Sequence, residues 1–201
     1  LAFAERAALF AKDRGIYLAA AVLVLHYGSG ISDNKVLMFT PEGELAFSYV
    51  KTVSWYPTGS DGIPKVVDTP YGRIGAAICF DMDDPRLARR LGKAGADIVL
   101  VPAYDTEGIR PFHTEVGLFR AIENGYSVIR QVAEGSSMAV DGRGIVKAFQ
   151  DYFSTPERIM LVDLPMKGEK TLAAAIGDAF AWLNAILLAA LVALALRKHP
   201  R

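Results

Sequence analysis

The 201 residues are 52% hydrophobic and carry 22 basic against 22 acidic side chains, so the formal net charge is zero. That length allows one domain with a sizeable core and an appendage, and the balanced charge, with no basic stripe interleaved with aromatics, excludes a nucleic-acid footprint. A single cysteine, Cys79, excludes an internal disulfide and leaves the redox compartment open. The chain opens on Leu1 with neither an initiator methionine nor a signal peptide, and is expected to be part of something longer.

From Ala2 to Arg14, Phe3, Ala7, Phe10 and Ala11 recur at helical spacing and Gly15 supplies a stop, which predicts an amphipathic surface helix. Ile16 to Leu25 is an apolar run too short to cross a membrane and broken by His26-Tyr27-Gly28-Ser29-Gly30, hence a buried strand, with Tyr17 and His26 structural. Asn34–Phe39 and Glu44–Val50 flank Thr40-Pro41-Glu42-Gly43, a turn sequence, and predict an antiparallel hairpin with Lys51 at its end. Trp55 to Gly62 has no periodicity and reads as a surface loop.

Ile74–Ile78 predicts a buried strand after the turn at Pro70-Tyr71-Gly72. Asp84 then caps a helix, Pro85 suits its first position, Leu87, Leu91 and Ala94 share a face, and Gly95 ends it. Asp97–Pro102 is apolar on both faces, the mark of an interior strand, and strand, helix, strand implies parallel pairing. Cys79 therefore sits at the carboxyl end of a central strand, where open α/β sheets place reactive groups. A helix start favours a thiolate there, Asp81, Asp83 and Asp84 oppose it, and a buried cysteine serving only as a small hydrophobe is the alternative.

Tyr104 and Asp105 follow the parallel strand on the same rim, which makes them pocket candidates or members of an ordinary turn. Phe112–Asn124 predicts a helix stopped by Gly125. His113 near its start either faces the pocket or bonds locally. The spacing of His113, Glu115 and Glu123 supports no metal, and Arg120 and Glu123, at i and i+3, read as scaffold. Ser127–Gln131, Ser136–Val140 and Gly144–Phe149 predict further strands, the last two joined at Asp141-Gly142-Arg143-Gly144, and Arg158–Leu164 is expected to close the set.

Ala179 to Leu196 is uncharged, interrupted only by Asn184, and predicts a transmembrane helix, with a core or docking helix as the alternative. Arg197-Lys198-His199-Pro200-Arg201 beyond it favours a cytoplasmic C-terminus in the plasma membrane, and Asp178 with Trp182 marks the other interface, so the domain is expected to face outward. The expected division is 1–170 and 171–201.

Three segments in order, Tyr49-Val50-Lys51, Asp68-Thr69-Pro70-Tyr71-Gly72-Arg73-Ile74-Gly75-Ala76-Ala77-Ile78-Cys79-Phe80-Asp81 and Arg120-Ala121-Ile122-Glu123-Asn124-Gly125, resemble the nitrilase, or carbon–nitrogen hydrolase, superfamily. Within it the apolar tail makes the chain similar to the apolipoprotein N-acyltransferase branch. The resemblance implies an α+β fold, a four-layer α-β-β-α sandwich, and a Glu–Lys–Cys triad that works through a thioester without cofactor or metal. In that triad Cys79 is the nucleophile, and Lys51, otherwise a solvated edge charge, stabilises the oxyanion together with the Phe80 backbone amide. The implied partners are an acyl donor, phospholipid or amide, an amine or water as acceptor, and membrane lipid. Glu5, Glu42 and Glu44 do not match the family's base glutamate, expected upstream of the first helix, and only Asp61 stands where acyltransferases carry a second glutamate. This chain alone is therefore expected to be weak. A membrane-tethered amidase and a catalytically dead binding domain are the alternatives.

Overall fold

The computed structural model describes residues 2–26, 28 and 31–198. Leu1, Tyr27, Ser29 and Gly30 of the expected strand break, and His199, Pro200 and Arg201 of the basic tail lie outside the described residues.

Helix α1 (Phe3–Arg14) ends where Gly15 adopts a left-handed conformation (φ 61°), as the glycine predicts. Its buried Ala7 and Ala11 lie against Phe39, Leu18, Ala20 and Leu37, on the outer face of an antiparallel sheet of β1 (Leu18–His26), β2 (Ile31–Phe39) and β3 (Leu45–Val50). The opposite face of that sheet supplies Val36, Met38 and Tyr49 to the inter-sheet core, where they meet Ala76, Ile78, Ile74 and Ile98.

Ile74, Ala76 and Ile98 belong to a six-stranded sheet in the order β4 (Val66–Thr69), β5 (Gly72–Ala76), β6 (Ile98–Tyr104), β7 (Ser127–Ala133), β8 (Ser136–Val140) and β9 (Val146–Asp151), and Ile78 lies just past β5. Strands β5, β6 and β7 are parallel and the outer pairs antiparallel. The crossovers are α2 (Pro85–Lys93), whose Asp84 cap accepts from the Arg86 amide, and α3 (Arg110–Asn124), closed by Gly125 at φ 73°. Leu91, Val99, Val101, Ala121, Tyr126, Val128 and Met138 form the core between these helices and the sheet. The layers thus run α1, three strands, six strands, α2 with α3.

One expected element is absent. Arg158–Leu164 forms no strand. Ile159 and Leu161 are 78% and 88% exposed, so their alternation has no partner surface to cover. The chain instead crosses to the end of the sheet: Ser127 Oγ donates to the Pro165 carbonyl, Gly168 N to Asp97 and Glu169 N to the Gly125 carbonyl. These bonds fix the chain just beyond the segment, at residues 165–169. Strand β4 was not expected, because four residues carry too short an alternation; it forms by pairing with β5 across the turn where Thr69 Oγ1 donates to the Gly72 carbonyl at 2.6 Å.

After a short α4 (Leu172–Ile176), capped by Thr171, comes α5 (Ala179–Lys198). Its segment Ala179–Arg197 has a mean hydropathy of 2.4 with none of its window buried, so it is not a core helix of this domain. Asn184 donates to the Phe180 carbonyl within the helix, which satisfies its amide without an outside partner.

Candidate active site

Strand β5 ends at Ala76, and the chain turns sharply two residues later into a 3-10 turn, Cys79–Asp83. Cys79 opens that turn at φ 49°, a left-handed conformation that costs a non-glycine residue about 1 kcal/mol or more and persists only where the surroundings hold it. The holding contacts flank it: the Ile78 amide donates to Asp81 at 2.9 Å, and the Asp81 amide to the Ile78 carbonyl at 3.0 Å. Cys79 Sγ lies 3.7 Å from the Tyr104 carbonyl at the end of the parallel neighbour β6. The Phe80 amide stands at the start of the turn, where the turn's own hydrogen bonds do not use it. The Phe80 ring meets the Trp55 and His113 rings, each with centroids 5.7 Å away, so the loop carrying Trp55 borders the turn.

Cys79 and Lys51 line one cavity of about 400 Å³, together with Ala21, Asn34, Lys35 and Tyr104. The backbone of Lys51, just past β3, is fixed by its amide donating to the Asn34 carbonyl at 2.9 Å. Among the described residues no carboxylate lies within ion-pair distance of Lys51, and no glutamate lines the cavity. Lys35 is paired with Asp33 at 3.1 Å. The Gly59 amide, with His26 and Lys35 beside it, holds the Asp33 carboxyl down to about 2.

Behind the turn lies a buried polar network. Asp105 receives both terminal nitrogens of Arg130, at 2.9 and 3.0 Å, and stands 3.1 Å from His113 Nδ1, whose Nε2 is 3.3 Å from Asp83. Arg130 is 1%, Asp105 2% and His113 7% exposed, so this is a charged cluster inside the fold. Burial alone would push the Asp105 carboxyl up, but the hydrogen bonds from Arg130 and His113 outweigh it and hold it below the usual carboxylate range. Burial pushes Asp83 up, partly opposed by His113. On the other flank, Asp81 is wholly buried, and burial raises its carboxyl against hydrogen bonds from the Val53 amide, Tyr49, and the Ile78 and Thr52 amides. The Tyr49 phenol is itself pushed upward by burial and by Asp81, which keeps it a donor.

Of the pocket candidates, Tyr104 lines the cavity and its hydroxyl donates to Glu134 at 2.7 Å. Asp105 and His113 are not on the cavity wall; they are buried beside Cys79, with ligand-type atoms of Cys79, Asp105 and His113 within 4.8 Å of one another. As a cation site this trio is poor, because both Asp105 oxygens are engaged by Arg130. Asp61 is an exposed partner of Lys65. Arg120 pairs with Glu123 and also donates to the Met82 carbonyl, bracing the turn as scaffold. The sequence reading did not find Asp81 or Arg130 as partners. An arginine at an inward position of an apolar strand was the available signal for the second.

A family model for the carbon-nitrogen hydrolases matches residues 1–173. The chain belongs to the carbon-nitrogen hydrolase family. Among curated carbon-nitrogen hydrolases, an apolipoprotein N-acyltransferase of Geobacter metallireducens is 28% identical over 202 residues, 94% of this chain and 38% of that protein. An (R)-stereoselective amidase of a Pseudomonas species is 32% identical over 156 residues, 70% of this chain and 56% of that protein. The chain thus spans between about a third and just over half the length of these two relatives. An amidase from Nesterenkonia sp. superposes with a TM-score of 0.72 at 22% identity, covering 90% of this chain and 71% of that one, a likeness of fold.

Proposed function

We propose that this protein is a cysteine-dependent acyltransferase that passes an acyl group from a membrane lipid to an amine through a thioester on Cys79. The observation that carries the reading is the shared cavity: a strained cysteine and a lysine without a carboxylate partner face the same space. The Cys79 thiolate adds to the acyl carbonyl carbon, a carbon–sulfur bond forms, and the carbonyl electron pair moves onto oxygen. That oxyanion is held by the Lys51 ammonium and the Phe80 amide, an arrangement in which one donor contributes about 3 kcal/mol. Collapse expels the leaving group with a proton and leaves the thioester; an amine then attacks it and the thiol is regenerated. The thiol proton passes to a carboxylate base of the kind the family uses, and none of the described glutamates lines the cavity.

Transfer is favoured over hydrolysis by two features. The N-acyltransferase relative matches nearly the whole chain, and α5 is apolar enough to span a bilayer. In this reading residues 1–170 form the catalytic domain and 171–201 the anchor, with the domain outside the plasma membrane and Arg197 on the cytoplasmic side. Hydrolysis of an amide is the second reading, favoured by the amidase relative. The test reconstitutes the protein in vesicles holding phospholipid labelled in one acyl chain and a lipopeptide with a free amino terminus. Label moving to the lipopeptide amine is expected. Label released only as free fatty acid overturns transfer in favour of hydrolysis.

A further inference from the structure

We propose that Asp81 is the positioning residue that sets Lys51 against Cys79, an inference that rests on the site reading above. Its carboxylate is wholly buried and joins two stretches of chain that do not otherwise share a strand. From the lysine side it accepts from the Tyr49 hydroxyl at 2.7 Å, the Thr52 amide at 3.0 Å and the Val53 amide at 2.6 Å. From the cysteine side it accepts from the Ile78 amide at 2.9 Å. Tyr49 lies two residues before Lys51, Thr52 and Val53 directly after it, and Ile78 directly before Cys79.

The geometry has a chemical logic. Strand β3 has ended by Val50, so the lysine-bearing segment leaves its ladder and needs other acceptors for its amides. Asp81 supplies them from inside the nucleophile turn, so any shift of the turn carries the lysine segment with it. Its lone pairs are taken by donors of the frame, and among the described residues it forms no ion pair with Lys51, whose ammonium is left for an oxyanion. Asparagine cannot reproduce this, because an amide nitrogen in place of either oxygen would face backbone N–H groups.

The test uses p-nitrophenyl butanoate, whose leaving group departs as the phenolate without needing a proton. The Cys79 sulfur bonds the butanoyl carbon as p-nitrophenolate is released. In the whole chain, K51A is expected to slow acylation about 100-fold. D81N is expected to slow it about tenfold with the half-saturating ester concentration unchanged, since only transition-state stabilisation is lost. Adding D81N to K51A should cost about twofold or less, the non-additivity of two residues acting through one. Should D81N fail to fold, Y49F removes a single donor to the same carboxylate and is expected to slow acylation about threefold, again with little further loss on K51A. If K51A acylates at the wild-type rate, the site reading falls and the inference with it. If K51A is slow but D81N or Y49F either has no effect or adds its full factor to K51A, Asp81 is ordinary scaffold and only this inference is overturned.

Discussion

The two sides of the Cys79 turn are built on opposite terms. Towards the cavity, Lys51 has no carboxylate partner and the cysteine holds an unfavourable backbone angle. Behind it, Asp81, His113, Asp105 and Arg130 are locked in hydrogen bonds, Asp83 lies 3.3 Å from His113, and among the described residues no buried side-chain polar atom lacks a partner. The comparison teaches how a strained turn is kept in place: the cavity side can be left unsatisfied because the buried side is saturated. The three aspartates that follow Cys79 in the sequence each have a structural partner. Asp81 is spent on the lysine segment, Asp83 on His113 and Asp84 on the cap of α2.

Breaking the buried side should hurt folding most. R130M leaves the Asp105 charge buried with one partner fewer, and the expected loss is about 3–5 kcal/mol in chemical denaturation. A loss under 1 kcal/mol would show that the network is not the frame described. Acid should act in the same direction but less. Asp33 and Asp105 have folded pKa values below their unfolded ones, so their contribution is fully present above about pH 4 and is lost as pH falls through the folded values, about 2 for Asp33. Asp81 and Asp83, pushed up by burial, contribute with the opposite sign, so the test is a difference: from pH 6 to pH 2 the unfolding midpoint should fall further in the unaltered chain than in D33N. On the cavity side the effect on folding should be smallest: K51A is expected to change stability by less than about 0.5 kcal/mol, because no ion pair is lost. A large destabilisation there would mean that the lysine is part of the frame after all.

Much of this was legible in the chain. Asp84-Pro85 and Gly95 fix α2, and Gly15 and Gly125 end their helices as read. The site residues Cys79, Lys51 and Tyr104 stand where strand ends were expected to bring them. The roles of Asp81 and Arg130 were hidden because their partners lie 25 to 32 residues away in sequence, beyond any local pattern. Arg158–Leu164 misled because its alternation is real but Ile159 and Leu161 stay exposed, and the chain is tied down only beyond it, where Gly168 and Glu169 bond to Asp97 and to the end of α3. His113 and Asp105, expected as possible pocket residues, are buried behind Cys79 and do not line its cavity.

The most direct measurement is intact-mass and peptide mapping of the protein after prolonged exposure to p-nitrophenyl butanoate, because a cavity lined by no glutamate base should acylate slowly. One butanoyl group on Cys79, absent from C79A and formed about 100-fold more slowly in K51A, is the predicted result. An adduct that survives in C79A, or that forms as fast in K51A as in the unaltered chain, would contradict a site in which this sulfur and this ammonium act on one acyl group.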